Sequence, residues 1–134
     1  MESVYLISGS RQKLSREAPA RTLYISPLFK ACLRYAERQN PDRIYVLSGK
    51  HGLVPLDQSV RPDDFPLSQL SAEEGAGWAD NVLRHLRSSL DLQNTEVTVL
   101  ASDRDIRGLP EGIPHVSLPF KGLGAAQRMR FLKG

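Results

Sequence analysis

The chain has 134 residues, 40% hydrophobic and 25% charged, which is the balance of a globular protein with one core. No apolar run approaches the ~20 residues that span a bilayer, and the start of the chain lacks the pattern of a signal peptide. The single cysteine, Cys32, excludes an internal disulfide and a multi-cysteine zinc site. We therefore expect one cytoplasmic domain over residues 1–134, without membrane association; the oligomeric state stays open.

The positive charge of the chain is small and local. The formal net charge is +3, whereas a dedicated nucleic-acid-binding protein usually carries a clustered basic stripe. Residues 10–21 hold four basic side chains against one acid, Glu17. This distribution favours one anionic group bound in a loop over a long polyanion tracked across a face.

The first predicted elements are a strand and a helix. Residues 4–8 (VYLIS) form a short apolar run with β-branched and aromatic members, typical of a buried strand. A polar loop then extends to residue 26. The segment 26–40 predicts a helix, because Ser26 can cap it and Pro27 suits its first position.

The second half continues the alternation of strands and helices. Residues 43–48 (RIYVLS) predict a strand, and a loop rich in Pro and Asp follows from 49 to about 70. Ser71 and Glu74 form a capping box that opens the next helix. Two further strands and a closing helix are predicted at residues 96–101, 115–119 and 122–132.

The order β-α-β-α-β-β-α predicts a single three-layer α/β domain with a mainly parallel sheet. In such sheets ligands bind outside the carboxyl ends of the strands. The loops after the first three predicted strands are polar, beginning at residues 8, 48 and 102. We therefore expect these three loops to gather at one edge and form a site.

The first of these loops, SGSRQK (8–13), has the composition of an anion site. Ser8 and Ser10 are small residues that flank a glycine and let the backbone approach an anion, which Arg11 and Lys13 can neutralise. The spacing fits neither GxxxxGK[ST] nor GxGxxG. A plain turn with solvated basic side chains is the alternative.

The second loop places Lys50 and His51 between two glycines. A histidine there can move protons near neutral pH, and a lysine can hold a phosphate or carboxylate. Asp63 and Asp64, in a loop expected to fold over the same edge, can supply acid–base or nucleophilic chemistry. The alternatives are a structural histidine and two acids that only form a turn. No histidine spacing indicates a metal site, and no cofactor motif is present.

Two further segments contain candidate ligand-binding residues. Tyr24 can stack on a base or direct its hydroxyl into the site, or it can simply hold its loop down. Gly122 and Gly124 expose backbone N–H groups at a helix start, with Gln127 and Arg128 one turn further on. That geometry suits a phosphate, although glycines that ease helix packing explain it equally well.

Five segments resemble the motifs of a largely uncharacterised family of small bacterial and phage proteins, similar to the YaaA-type peroxide-stress proteins. They read ISGSRQKL, APARTLYISPLF, LSGKHGLV, RPDDFPL and LPFKGLGAAQ, and together they span nearly the whole chain. The Lys-His-Gly-Leu and Ala-Pro-Ala-Arg pieces are the specific ones. The resemblance implies a link to nucleic-acid damage or base modification without defining a reaction.

The sequence departs from the family pattern at three positions. Gly9 replaces a loop cysteine, which excludes a thiol nucleophile there; Arg11 replaces a lysine, and Asp63 replaces a tyrosine. The candidate site residues that the resemblance carries over are Ser8, Lys13, Arg21, Tyr24, Ser26, Lys50, His51, Asp64, Gly122, Gly124 and Gln127.

These observations predict an enzyme that acts on a nucleotide or nucleobase, with glycosidic-bond or base-transfer chemistry. Arg11, Lys13 and Lys50 hold phosphate in this hypothesis, while His51 and Asp64 form the acid–base pair. The alternative is a non-catalytic DNA- or RNA-binding module. A domain that only binds a protein partner is a further alternative.

Overall fold

The computed structural model describes residues 1–133, which contain seven strands and four α-helices. The strands are β1 (Glu2–Ser8), β2 (Ala18–Pro19), β3 (Arg43–Ser48), β4 (Gly52–Pro55), β5 (Ser59–Val60), β6 (Thr95–Leu100) and β7 (Val116–Ser117). The helices are α1 (Ala20–Leu23), α2 (Pro27–Arg38), α3 (Ala72–Ser89) and α4 (Ala125–Lys133). None of these helices is long and apolar enough to cross a membrane.

The central sheet is mainly parallel, as predicted. Its strand order is β4-β3-β1-β6-β7, and every pairing except the antiparallel β3–β4 pair is parallel. In this order β3 lies on one side of β1 and β6 lies on the other, so the chain adds its second parallel strand on one side of β1 and its third on the opposite side. The carboxyl ends of β1 and β6 therefore form the switch point at which α/β sheets bind ligands.

Helices cover the sheet on both faces because successive strand residues point to opposite sides. On one face Val4, Leu6 and Val99 pack with apolar residues of α3. On the other face Ile7 and Val46 pack with residues of α2 and with the end of α4.

The two serines predicted to cap the starts of α2 and α3 do so in the structure. The Ser26 hydroxyl accepts a hydrogen bond from the Phe29 N–H at 3.1 Å. Ser71 and Glu74 make both hydrogen bonds of the capping box, at 3.1 and 2.9 Å. The Glu74 pKa is lowered because its carboxylate accepts the backbone N–H of Ser71.

Two segments that we expected to be loops contain secondary structure. Residues 49–70 include β4, which folds back on β3 as a hairpin, and β5. The loop between β1 and α2 contains β2, which pairs antiparallel with β5, and the short helix α1. Sequence patterns did not reveal these elements because strands of two to four residues show no useful periodicity.

Candidate functional site

The structure brings the loops after β1, β3 and β6 to one edge of the sheet, where they line a pocket. This β1–β3 pocket has a cavity volume of about 100 Å³. Pockets that bury drug-sized ligands have ~300–1,000 Å³, so this one suits a small group or one end of a ligand. Its lining comprises residues 8–11, Lys13, Tyr24, 47–49, Asp63, 65–68 and Asp105.

Arg11 and Lys13 supply the positive charge of the β1–β3 pocket. The Lys13 Nζ donates to the backbone carbonyl of Asp63 at 2.7 Å and lies 5.6 Å from the centre of the Tyr24 ring. Arg11 is exposed and its guanidinium lies 3.5 Å from the Ser68 hydroxyl. Lys13 therefore holds the loop around residue 63 against the site, and Arg11 reaches across the mouth.

Tyr24 is buried, with 3% of its surface exposed, so it lines the pocket by an edge only. One side of its ring lies against Gly9, where an added Cβ would come within 2.7 Å of a ring carbon. The Phe29 ring packs 5.2 Å away, centre to centre. Burial raises the pKa of Tyr24, the Ser48 side chain partly opposes this, and the Asp63 charge adds to it. This ring is therefore not free to stack on a base.

The acid that faces His51 is Asp63, whereas we predicted Asp64. The His51 Nε2 lies 3.9 Å from the Asp63 Oδ2, and the two side chains are 33% and 7% exposed. The other Asp63 oxygen accepts the Phe65 N–H at 2.8 Å, which fixes the carboxylate in a tight turn. Asp64 is exposed and lines neither of the pockets at this edge.

The glycines around Lys50 and His51 serve the β3–β4 hairpin. Gly52 has φ of +71°, which residues with a Cβ rarely adopt. Gly49 has no room for a Cβ, because the carbonyl of Phe65 occupies that space. The Ser48 hydroxyl accepts the His51 N–H at 3.0 Å and completes the turn. Lys50 is exposed at the tip of the hairpin and does not line the β1–β3 pocket with Arg11 and Lys13.

A second pocket opens on the other side of the β1 loop, at the switch point. This β1–β6 pocket has a cavity volume of about 150 Å³. Ser8, Gly9, Ser10 and Asp105 line both pockets. The remaining lining residues are Ser26, Leu28, Phe29, Cys32, 100–102, Phe120 and Arg128.

Arg21, which we predicted to bind ligand, lies away from this edge. Its guanidinium pairs with Asp57 at 2.8 Å and with Glu37 at 3.5 Å, and its pKa is raised mainly by the hydrogen bond to Asp57. It lines a depression with Arg43 and Pro55, near the amino end of β3. Its contacts brace the loop after β4 against α2.

Gly122 and Gly124, just before α4, line neither pocket, and their N–H groups contact other protein atoms. The Gly124 N–H donates to the Gln127 side chain at 2.8 Å, so the helix start caps itself. Gly122 has φ of +76° and its N–H lies 3.4 Å from an Asp103 carboxylate oxygen. The N–H groups of Gly122 and Gly124, which we predicted to bind phosphate, therefore already have acceptors within the protein.

Several lining residues were missing from the predicted site, among them Asp105, Phe65 and Arg128. Asp105 follows a serine turn, in which its N–H lies 3.3 Å from the Ser102 hydroxyl. Phe65 is 45% exposed at the mouth of the β1–β3 pocket. Arg128 reaches the β1–β6 pocket from α4. An aromatic residue beside paired acids in a loop was a usable signal for Phe65. The sequence placed Arg128 only near the start of the closing helix, and the packing of α4 brings it to the β1–β6 pocket.

The fold and its two pockets define a mixed α/β domain with a polar site at the carboxyl ends of parallel strands. The chain belongs to DUF6884, a family of unknown function whose model matches residues 4–134. No curated protein and no solved structure matches the chain. The likeness to the YaaA-type proteins stays a prediction from the motifs.

Proposed function

We propose that this chain is a nucleotide-directed enzyme that hydrolyses an N-glycosidic bond, in a single three-layer α/β domain with its site at the β1–β3 pocket. The observation that carries the proposal is that two cations, Arg11 and Lys13, line the same pocket as Asp63, whose side chain is nearly buried. The cations suit a phosphate, and the carboxylate suits the positive charge that develops on a sugar.

Arg11 and Lys13 are assigned to the phosphate of the ligand. Hydrogen bonds between charged groups are shorter and about twice as strong as neutral ones, and a guanidinium binds phosphate through two parallel bonds. The neighbouring loop residues Ser8, Gly9 and Ser10 let the ligand approach the backbone closely. Phosphate binding is thus the anchor that sets the sugar beside Asp63.

Asp63 is assigned as the general base. The bond from the sugar C1′ to the base nitrogen breaks as a water oxygen bonds to C1′. One proton of that water passes to the Asp63 carboxylate, and the leaving nitrogen takes a proton from solvent. His51 does not line the pocket, so its role is to position Asp63 from 3.9 Å away. The motif resemblance supports a role for this reaction in base modification or the response to nucleic-acid damage.

Binding is tested by calorimetry with ribose 5-phosphate, adenosine and AMP on two matched variants, Lys13→Met and Lys50→Met. The loss of a charge-assisted hydrogen bond predicts an affinity for ribose 5-phosphate about 10- to 100-fold weaker in the Lys13 variant. The Lys50 variant should bind as the wild type does, because Lys50 lies outside the pocket. Adenosine should be affected less than AMP. Equal losses in both variants would contradict the assignment.

Turnover is tested by chromatographic detection of free base from nucleosides, nucleotides and short oligonucleotides. Asp63→Asn keeps an oxygen for the Phe65 N–H and removes only the charge, so it should abolish base release without unfolding the loop. Asp64→Asn is the matched control and should retain activity. Oligonucleotide binding that weakens steeply with salt, with no base released by the wild type, would instead support a DNA- or RNA-binding module.

A further inference from the structure

We propose that the β1–β6 pocket is the subsite for the nucleobase, with a carbonyl oxygen or ring nitrogen of the base accepting a hydrogen bond from Arg128. This inference rests on the proposed function, since it assigns the second half of the same ligand. It concerns a pocket to which the proposed function assigns no part of the ligand.

Arg128 provides the unused donor. Its Nε is buried, and among residues 1–133 no atom accepts its hydrogen bond. Because protein atoms cover this Nε, a ligand in the β1–β6 pocket would accept from the terminal N–H groups of Arg128, which lines the pocket. Buried polar groups in folded proteins nearly always have a partner, so the unpaired atom shows that the fold does not use this guanidinium fully. The guanidinium is held over the Phe120 ring, 5.9 Å from its centre, and is thereby oriented before any ligand arrives.

The rest of the β1–β6 pocket suits a flat, largely apolar ring. Leu28, Phe29, Leu100 and Phe120 line it with apolar surface. Cys32 adds a neutral thiol, because burial raises its pKa to about 12. An apolar wall with a few placed polar groups is the usual composition of a site for an aromatic ligand. Asp105 adds a carboxylate that can accept from the amino or imino group of a base.

The β1–β3 pocket offers the base less room. Its cavity is the smaller one, and the Tyr24 ring is covered by Gly9 and Phe29. The two pockets share Ser8, Gly9, Ser10 and Asp105, so one ligand can extend from one into the other around the β1 loop. A ligand whose phosphate lies near Lys13 and whose base lies near Arg128 would use the polar groups of both pockets.

The experiment measures binding of four ribonucleosides and of ribose 5-phosphate by calorimetry. Arg128→Met removes the N–H donor and keeps an apolar side chain of similar length; Arg130→Met, on the exposed side of α4, is the control. We expect Arg128→Met to weaken nucleoside binding at least about 10-fold while leaving ribose 5-phosphate binding unchanged. A nucleoside with a phenyl ring in place of the base should bind weakly, and equally, to wild type and variant.

A second variant distinguishes the loss of the hydrogen bond to the base from misfolding of the protein. Arg128→Lys keeps the charge but cannot present the same planar N–H group, so it should lose nucleoside affinity while keeping the wild-type melting temperature. If both Arg128 variants bind nucleosides as the wild type does, the inference is overturned. The same holds if Phe65→Ala, and not the Arg128 variants, removes nucleoside binding, because the base then lies in the β1–β3 pocket.

Failure of this inference is distinguishable from failure of the proposed function. If Lys13→Met weakens ribose 5-phosphate binding but the Arg128 variants bind nucleosides as the wild type does, only the base subsite is refuted. If nucleosides bind through Arg128 while ribose 5-phosphate does not bind, the phosphate site is refuted and the base subsite stands. If neither ligand binds the wild type, both are refuted.

Discussion

Gly49→Ala tests whether the loop over the pocket is held by close backbone packing. Gly49 lies where β3 enters its hairpin, and a Cβ at this position would collide with the carbonyl oxygen of Phe65 and come within 3.2 Å of the Leu67 nitrogen. Both obstacles are backbone atoms, so no side-chain rotation can relieve the clash. The loop is also tied down, because Lys13 holds the carbonyl of Asp63 at 2.7 Å.

The free energy of unfolding should fall by about 1–3 kcal/mol, because the variant forces one extra carbon into a packed site. For a chain of this size that free energy lowers the melting temperature by about 3–15 °C. The displaced loop carries Asp63 and Phe65 away from the β1–β3 pocket, so affinity for ribose 5-phosphate should fall as well. Thermal and urea denaturation, followed by calorimetry on the folded variant, measure both effects.

The matched control is Gly77→Ala in α3. A Cβ at Gly77 meets nothing within 4 Å, and alanine favours a helix over glycine by roughly 1 kcal/mol. The control should therefore be at least as stable as the wild type and bind ligand normally. A Gly49→Ala protein with unchanged melting temperature and unchanged affinity would refute the reasoning, since the loop would then move freely.

Two further predictions concern the core beneath the site. Trp78→Phe removes the indole N–H that donates to the buried Ser48 carbonyl at 2.9 Å, so the free energy of unfolding in urea should fall by about 1–3 kcal/mol; an unchanged midpoint would count against that bond. Cys32 should react slowly with aromatic disulfide reagents at about pH 8 in the native state, because its raised pKa keeps the thiol neutral, and it should react fast once urea unfolds the chain; rapid labelling of the folded protein would argue against the raised pKa. Because its folded pKa, about 12, exceeds the ordinary 9.0, the neutral thiol stabilises the fold below pH 9.0, and this contribution is lost as the pH rises toward 12; Cys32→Ala should lose less stability over that range.

The sequence by itself determined the longer strands and helices and the edge of the sheet at which polar loops meet. The run at 43–48 became β3 with the same bounds, and Ser26 and Ser71 cap the helices as their positions indicated. These features depend on local periodicity and on hydrogen bonds between residues three apart, which can be read directly from the chain. The parallel order then followed from the alternation of strands and helices.

The partners of individual side chains were decided by the tertiary structure. Asp63 and Asp64 are adjacent in a loop between prolines, and only the turn closed by the Phe65 N–H directs the first toward His51. Arg21 was predicted beside the site, but the β2–β5 pairing carries its segment toward the opposite end of the sheet.

Arg128 shows the same dependence on packing at longer range. The sequence placed it one turn into the closing helix, beside a candidate phosphate site, and gave no indication of the β1–β6 pocket. It reaches the switch point because α4 packs beside α2 on one face of the sheet, next to Phe120. Local patterns fix where a chain is helical or extended, whereas long-range packing decides which side chains of distant segments share a pocket, since those contacts exist only once the core has formed.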